Sequence, residues 1–179
     1  MKTILKTALL IGLGATLLTA EMVNSPSSNY TKEYKKYDSL AMEAWEKMPF
    51  GIKRAILVPK EATGYGMYSK RKSNKYLSGE DILIYVEPIG FGHKDLGNFY
   101  RIDMESDLIV QDENGKVLGK LKGFGKFKFD SNERNREIYL SLTISLGKAP
   151  AGKYLLIVPI RDNIKNQTAE FKIPVEIIQ

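Results

Sequence analysis

The sequence contains no cysteine, one histidine and one tryptophan among its 179 residues. The lack of cysteine excludes a disulfide framework, a thiolate nucleophile, a cysteine-ligated zinc ion and a thioether-linked haem. A single histidine excludes any site that needs two imidazole groups from one chain. Since 43% of the residues are hydrophobic and 27% are charged, the chain is expected to fold. Its length corresponds to one domain with appendages.

Common catalytic and nucleotide-binding signatures are also missing. The sequence has no G-x-S-x-G, no G-x-x-x-x-G-K-[ST], no G-x-G-x-x-G and no H-E-x-x-H. We therefore expect a protein that is not an enzyme and that uses no cofactor. A hydrolase is the alternative, because a glycosidase needs only two carboxylates and the chain has 21 acidic residues.

Residues 1–20 have the layout of a secretory signal peptide. Lys2 and Lys6 form a basic region, and an uncharged, largely apolar run of 14 residues ends at Ala20, before Glu21. That run is shorter than the roughly 20 residues of a membrane-spanning helix. We expect cleavage and a periplasmic or secreted protein; an uncleaved anchor, which would bring membrane association, is the alternative. Loss of both lysines lowers the formal charge from +6 to +4, too small an excess to indicate a nucleic-acid partner.

The next two segments are predicted to be a tether and a helix. A polar cluster at 24–28 indicates a flexible tether over residues 21–31. Over residues 32–50, apolar side chains recur every three or four positions, namely at Tyr34, Tyr37, Ala41, Ala44, Trp45 and Met48. Such an amphipathic helix is marginal alone in water, so we expect this stripe to be buried against the sheet of the same chain or against a partner.

From residue 51 onward the period of the hydrophobic pattern changes to two. Apolar and polar residues alternate over 137–146, 99–110 and 169–177, as in strands with one solvated face. Residues 82–86 are apolar on both faces and are predicted to form a central strand. The turn 112–115 (DENG) predicts a hairpin. Several short strands without alternating helices indicate an antiparallel β-sandwich.

One tyrosine narrows the predicted fold to an immunoglobulin-like sandwich. Tyr154 follows a glycine-containing corner, residues 147–153, and begins the second-last predicted strand. This position matches the tyrosine corner, in which the hydroxyl group bonds to upstream backbone. The alternative is an inward-facing core aromatic, which is also a structural role. We therefore predict a mainly β chain with an immunoglobulin-like antiparallel sandwich over 51–179, preceded by one amphipathic helix.

Four segments also carry a family resemblance: 79–92 (GEDILIYVEPIGFG), 135–140 (NREIYL), 150–156 (PAGKYLL) and 168–171 (TAEF). Together they resemble an uncharacterised family of exported bacterial proteins with an immunoglobulin-like sandwich, over residues 64–178. The resemblance implies the fold and export. It assigns no function to any residue.

Two segments concentrate side chains that commonly bind ligands. Residues 63–76 (TGYGMYSKRKSNKY) interleave Tyr65, Tyr68 and Tyr76 with cations, a combination that stacks on sugars or binds anionic polymers. Residues 87–98 (EPIGFGHKDLGN) form a glycine-rich loop with Phe91, the single histidine and a lysine. The alternatives are a charged loop that protects a sheet edge and a solvent-exposed histidine.

A cation site on Asp103, Glu105 and Asp107 is a weaker hypothesis. These carboxylates share one face of a strand, but their spacing matches no calcium loop, and neighbouring cations would neutralise them. We therefore predict no metal.

These observations favour an exported, non-catalytic binding or accessory module. It would engage another exported protein through its loops, a sheet edge or the helix. The alternative is a carbohydrate-binding module that binds a glycan on exposed tyrosine and phenylalanine rings. The predicted contact residues are Tyr65, Tyr68, Tyr76, Phe91, His93 and Lys94.

Overall fold

The computed structural model describes residues 29–179. The predicted signal peptide at 1–20 and residues 21–28 of the predicted tether lie outside the described residues. The described chain is mainly β, with one helix and nine strands. They are α1 (Asn29–Lys47), β1 (Gly51–Val58), β2 (Lys75–Leu77), β3 (Ile82–Ile89), β4 (Lys94–Asp95), β5 (Tyr100–Asp112), β6 (Val117–Ser131), β7 (Leu140–Ile144), β8 (Gly152–Asp162) and β9 (Gln167–Ile178).

The strands form two sheets. The smaller sheet is antiparallel in the order β1-β3-β7. The larger sheet has the order β2-β9-β8-β5-β6, and only the β2–β9 pair is parallel. Strand β4 pairs with Tyr100 and Arg101 at the start of β5, on the edge that β8 occupies from Met104 onward. A short stretch of β5 between these two partners is therefore left without a neighbouring strand on that edge.

The inner faces of both sheets contribute to one hydrophobic core. Strand β7 shows the alternation most simply, because Leu140, Leu142 and Ile144 are buried while Ser141 and Thr143 are exposed. The other long strands contribute Ile82, Ile84 and Val86 of β3, Ile102, Met104 and Leu108 of β5, Leu156, Val158 and Ile160 of β8, and Ile173, Val175 and Ile177 of β9; Phe50, Tyr76 and Phe91 complete the buried core. Burial of these alternate side chains is what stabilises the two layers.

Strand β3 is central in its sheet, which confirms the prediction from its two apolar faces. Its inner residues lie in the core, and its outer residues Tyr85 and Glu87 are also buried, at 1% and 3% exposure. Something must therefore cover the outer face of the smaller sheet. That cover is the segment between β1 and β2, described below.

The helix begins at Asn29 and ends at Lys47, whereas the sequence predicted 32–50. The residue before a proline is disfavoured in the helical conformation, and Pro49 therefore ends the helix near Met48. The first compact unit of the chain ends at Tyr37, and its described residues form the first half of α1. No helix within residues 29–179 is long and apolar enough to cross a membrane.

The buried face of α1 differs from the predicted stripe. Met42 is buried and Trp45 packs against the core, whereas Tyr34 and Tyr37 are 70% and 58% exposed. The prediction counted tyrosines as apolar, but their hydroxyl groups make exposure inexpensive. The orientation of residues 38–47 is fixed instead by Trp45.

Candidate functional site

The predicted loop 87–98 includes the end of β3 and the short strand β4, and Phe91 in its middle packs against the chain's own helix. Phe91 is fully buried, and its ring meets the ring of Trp45 edge-on at a centroid distance of 5.0 Å. The indole Nε1–H of Trp45 donates to the Phe91 carbonyl oxygen at 2.9 Å. A Cβ atom on Gly90, which has a φ of 67°, would lie 2.4 Å from the Pro49 carbonyl oxygen. The loop needs its glycines to accommodate the end of the helix, and Phe91 presents no surface to a ligand.

A buried carboxylate holds the same loop from the other side. Asp162, at the end of β8, is 1% exposed. Its Oδ2 accepts a hydrogen bond from the Gly92 amide at 2.7 Å, and its Oδ1 accepts from the amides of Ile164 and Lys165 at 2.8 and 3.2 Å. Three amide donors compensate for the loss of water around this carboxylate. Asp162 is therefore a structural residue.

The ammonium group of Lys165 completes this connection to the helix. Its Nζ donates to the carbonyl oxygens of Glu46 and Met48 at 3.0 and 2.7 Å. Cations are favourable at a helix C-terminus, where carbonyl groups lack partners. The sequence analysis missed Asp162 and Lys165, although the run DNIKN between two strands is typical of a turn.

His93 is half-buried and contributes its ring to this packing. Its Nε2 lies 2.8 Å from the Asn135 carbonyl oxygen, so Nε2 carries the hydrogen and donates it. Burial lowers the pKa of His93, the Asn135 carbonyl opposes this shift, and the Arg134 charge adds to it. The imidazole is therefore neutral at pH 7, with Nδ1 as its second, acceptor nitrogen.

A polar cleft of about 540 Å³ lies beside β5, between its pairing with β4 and its pairing with the end of β8. Its lining residues are His93, Lys94, Arg101, Asp103, Asn163 and Ile164. Most of its charges already have partners. Arg101 makes two hydrogen bonds of 2.7 Å to Asp130, and Asp103 accepts from the Asn163 side chain at 2.8 Å. The Asn163 bond, followed by Lys128, lowers the pKa of Asp103. Predicted contact residues His93 and Lys94 share this cleft, but only Lys94 offers an exposed charge.

Four tyrosines, Tyr65, Tyr68, Tyr85 and Tyr139, lie on the outer face of the smaller sheet; we name them the outer tyrosine cluster. The ring of Tyr85 is 4.4 Å from that of Tyr68 and stacks on that of Tyr139 at 5.4 Å. The Tyr85 hydroxyl donates to Glu87 Oε1 at 3.0 Å and accepts from the Gly66 amide at 2.7 Å. The segment between β1 and β2 thus covers the middle of β3.

Two cations from β1 neutralise the buried carboxylate of Glu87. A β-bulge between Ile52 and Arg54 brings Lys53 and Arg54 to 3.5 and 3.6 Å from Glu87 Oε2. The same two cations donate hydrogen bonds to the hydroxyl groups of Tyr65 and Tyr68. Burial, partly opposed by the Gly66 amide, raises the pKa of Tyr85 to about 12.

The prediction that Tyr76 and Phe91 are exposed rings that contact a ligand is wrong. Tyr76 and Phe91 are 1% and 0% exposed, so neither ring can stack on a ligand at the surface. The short strand β2 pairs with β9, which places Tyr76 in the core, and the Arg71 guanidinium lies 4.1 Å from its ring centroid. Burial raises the pKa of Tyr76.

The segments 63–76 and 87–98 contact different parts of the molecule. Tyr65 and Tyr68 are half-buried in the outer tyrosine cluster, whereas Phe91 and His93 contact Trp45 and Asn135. The aromatic residues of the two segments therefore do not line one shared pocket.

The three carboxylates on the outer face of β5 have separate partners. Asp103 is held by Asn163, Glu105 lies 3.5 Å from Arg161, and Asp107 accepts from the Gly123 amide at 2.8 Å. Among residues 29–179, no group of three or more histidine, aspartate or glutamate side chains is placed to hold a metal ion.

The first half of strand β6 is exposed on both faces. Strand β6 is the longest strand, with 15 residues, and it pairs only with β5. Its other edge has no partner strand among the described residues. Every residue from Val117 to Lys122 is exposed, including Leu118 at 50% and Leu121 at 54%. An edge with both faces solvated is unusual for a sandwich strand, and a free edge is a template for pairing with another chain.

An apolar groove of about 330 Å³ lies beside the first half of β6. It forms because β7 ends at Ile144, and the corner that follows does not cover Leu118. The lining residues are Val110, Leu118, Gly119, Ser145, Leu146, Ala149, Pro150 and Tyr154. The corner itself is held by Tyr154, whose hydroxyl donates to the Pro150 carbonyl oxygen at 2.7 Å.

A bulge divides β6 into two halves. Leu108 pairs with Leu121 and Ser106 pairs with Gly125, so three residues of β6 face one residue of β5. Gly123 lies in the bulge with a φ of 60°. The sequence analysis predicted the hairpin turn that precedes β6 but did not select β6 as a site. The available signal was the alternation of lysine with leucine over residues 120–122 and with phenylalanine over residues 126–129.

Comparisons with known proteins give only distant similarities. No protein-family model and no curated protein matches the sequence. Among solved structures, the chain is similar to a superoxide reductase (neelaredoxin) from Ignicoccus hospitalis, with 15% identity, a TM-score of 0.36 and coverage of 71% of this chain and 82% of that chain. It is also similar to the sporulation control protein Spo0M from Bacillus subtilis, with 12% identity, a TM-score of 0.38 and coverage of 74% and 50%. A third is the CARDB domain of PF1109 from Pyrococcus furiosus, at 13% identity, a TM-score of 0.30 and coverage of 73% and 93%. Similarities of this size assign neither a family nor a function.

Proposed function

We propose that the chain is an exported, non-catalytic, immunoglobulin-like binding module that engages another protein through the free edge of β6. The observation that carries the proposal is the first half of that strand. Over Val117–Lys122 both faces are exposed, and the edge away from β5 has no partner among residues 29–179. A partner strand would satisfy the unpaired backbone groups there and add a strand to the larger sheet.

Strand order and one hydrogen bond support the immunoglobulin-like assignment. The orders β1-β3-β7 and β9-β8-β5-β6 correspond to the A-B-E and G-F-C-C′ strands of that fold. Tyr154 stands at the start of β8, and its bond to the Pro150 carbonyl oxygen has the geometry of a tyrosine corner.

The other two predicted contact elements are engaged within the chain. The 87–98 loop holds Trp45, and the hydroxyl groups of Tyr65 and Tyr68 bond to Lys53 and Arg54. With Tyr76 and Phe91 buried as well, the predicted residues do not form the exposed aromatic surface that a carbohydrate-binding module needs. The proposal therefore assigns binding to the sheet edge.

Burial of apolar surface would supply much of the affinity. Leu118 and Leu121 are about half exposed on β6, and Leu118 lines the apolar groove. An added strand that covered them would remove this surface from water, at roughly 25 cal/mol per Å². The backbone hydrogen bonds would add direction and register.

Photo-crosslinking in cells that make the protein tests this assignment. A photoreactive amino acid is placed at Lys120 on β6 and, as the control, at Lys172, an exposed lysine on β9. The expected result is a discrete adduct with another protein at position 120 and none at position 172. Equal labelling at both positions, or none at position 120, would contradict the proposal.

Export is tested separately by the mass of the protein isolated from its own cells. The expected mass corresponds to a chain that begins at or near Glu21. A chain that still begins at Met1 would exclude cleavage of the predicted signal.

A further inference from the structure

We infer that the segment docking on Val117–Lys122 is an extended acidic strand, in which carboxylates alternate with apolar side chains. The inference rests on the proposed function and names the chemistry of the partner. It follows from three features of the same stretch of β6: its charge, the apolar groove beside it and the bulge that ends it.

The charge of this stretch is positive. Lys116, Lys120 and Lys122 are exposed, and none of the three forms an ion pair with another residue of the described chain. Lys148 belongs to the corner whose neighbouring residues line the groove. The nearby acidic residues are Asp112 and Glu113 of the turn before β6, and Glu105 and Asp107 of β5, which lie beside Gly123 and already have Arg161 and the Gly123 amide as partners. Cross-strand pairs of opposite charge are favourable, so carboxylates suit the positions opposite these lysines.

The apolar side chains of the partner have a matching site. Lys120 and Lys122 flank Leu121, and side chains alternate along a strand, so leucine and lysines point to opposite faces. Leu121 pairs with Leu108, which is buried on the core side of β5. A partner that alternates acidic and apolar residues would therefore place carboxylates beside the lysines and an apolar side chain beside Leu121 and the groove.

The bulge limits the length of the docked segment. Pairing with β5 becomes irregular after Leu121, and a second irregularity lies between Val110 and Gln111. A bulge bends and twists the strand that carries it. A straight partner strand would therefore leave β6 near Gly123, and the second irregularity bends β6 at Leu118. Pairing is thus confined to Val117–Lys122 and is most regular over its last four residues.

A second copy of this chain is a poor occupant of the same edge. Antiparallel pairing of this stretch with itself would bring lysines opposite lysines, and like charges directly opposite each other are destabilising. The lysines thus act against self-pairing, as charged residues do on many natural sheet edges. They favour an acidic strand for the same electrostatic reason.

The test uses the full chain and short synthetic peptides that alternate glutamate with valine or leucine, with binding measured by calorimetry. The charge control is a peptide of the same pattern in which every glutamate is replaced by lysine. The double variant K120E/K122E reverses the charge of the edge. K70E/K72E is the matched control, because it changes the net charge equally at two exposed lysines with the same spacing.

The acidic peptide is expected to bind the unchanged protein and the K70E/K72E variant with equal affinity. Its affinity for the K120E/K122E variant should be roughly tenfold lower. The lysine peptide should show the reverse preference for K120E/K122E. Added salt should weaken both interactions, because the charges are exposed. Equal affinity of the acidic peptide for the two double variants would overturn the inference.

Two further peptides separate strand pairing from simple charge attraction. In an extended peptide, alternate amides point to opposite edges. One peptide carries N-methyl groups on the amides of one edge, and the other carries them on the amides of the opposite edge. Since only one edge can pair with β6, one methylated peptide should bind and the other should not. If both bind equally well, the docking is not β-strand addition and the inference is wrong.

The outcomes distinguish this inference from the function on which it rests. Crosslinking at position 120 together with no preference for the acidic peptide would leave protein binding in place and exclude an acidic strand. A dimer of the unchanged protein in sedimentation, lost on disrupting β6, would replace the proposed occupant by a second copy. Binding to anionic vesicles that K120E/K122E abolishes, with no peptide binding, would also overturn the inference.

Discussion

Strands β3 and β6 differ most clearly in how much of each strand is exposed to solvent. All but two residues of β3 are buried, because the core covers its inner face and the outer tyrosine cluster covers its outer face. In β6, the stretch Val117–Lys122 is exposed on both faces. The difference lies in what covers each strand, since both carry apolar residues. The covered strand supports the fold, and the uncovered strand is the one available for a partner.

The comparison predicts a large difference between equivalent truncations. Ile84→Ala in β3 removes a side chain that is 1% exposed, and it should lower the free energy of unfolding by about 3 kcal/mol. Leu121→Ala in β6 removes one that is 54% exposed, and it should change that free energy by less than about 0.5 kcal/mol. Urea unfolding measures both. Equal losses would mean that β6 is covered in solution.

Two glycines, one just after β3 and one in β6, differ in the space around their backbone in the same way. At Gly90, just after β3, a Cβ atom would lie 2.4 Å from the Pro49 carbonyl oxygen, and its φ of 67° is strained for alanine. Gly90→Ala should therefore cost about 2 kcal/mol and alter the fluorescence of Trp45. A Cβ atom at Gly119 of β6 has no atom within 4 Å, so Gly119→Ala should be tolerated. Similar melting of the two variants would contradict the packing described for the loop.

Tyr85→Phe tests the cover over β3. The substitution removes the hydroxyl group that joins Glu87 and the Gly66 amide, and it should cost about 1–2 kcal/mol at neutral pH. Because the pKa of Tyr85 is raised to about 12, the unfolded chain loses this proton first as the pH rises. The hydroxyl's contribution to stability is thus present below pH of about 10 and falls as the pH rises towards about 12.

Unfolding experiments at increasing alkaline pH measure this slope. The Tyr85→Phe variant should lose less stability than the unchanged protein over the same interval. Parallel curves would show that Tyr85 is accessible to water, and therefore that β3 is not covered on its outer face.

A smaller effect is expected at acidic pH, from the loop after β3. The pKa of His93 is lowered, mainly by burial, so the unfolded chain binds a proton at a higher pH than the folded chain does. Stability is therefore full above the unfolded pKa of about 6.5 and falls as the pH drops through the lower folded value. Replacing His93 with Gln should flatten this part of the curve, measured by thermal melting from neutral to acidic pH. An unchanged slope would place His93 in solvent.

Local periodicity was enough to predict much of the fold. The alternation in β5, β7 and β9 gave the strands and their buried faces, because one face of each lies on the core. The two apolar faces of residues 82–86 likewise indicated the central position of β3. The helix was less predictable, since Tyr34 and Tyr37 fit the apolar period and yet lie in solvent.

The candidate site was less predictable because it depends on contacts between distant residues. The burial of Phe91 requires Trp45, and the cover over Tyr85 requires Tyr68 and Tyr139. Nothing in the composition of segments 63–76 and 87–98 shows that their aromatic rings face the chain itself. Conversely, the sequence of β6 resembles an ordinary amphipathic strand. Its exposure becomes evident only once β7 is seen to end at Ile144.

Residue-resolved hydrogen exchange of the full chain tests the central claim, that the edge of β6 is free, most directly. In the protein alone, the amides of β3 should exchange only through global unfolding, while alternate amides of Val117–Lys122 should exchange rapidly because they point away from β5. Addition of the acidic peptide should slow those rapid amides selectively. Uniform protection along Val117–Lys122 in the isolated protein would show that this edge is already covered, and would contradict the account.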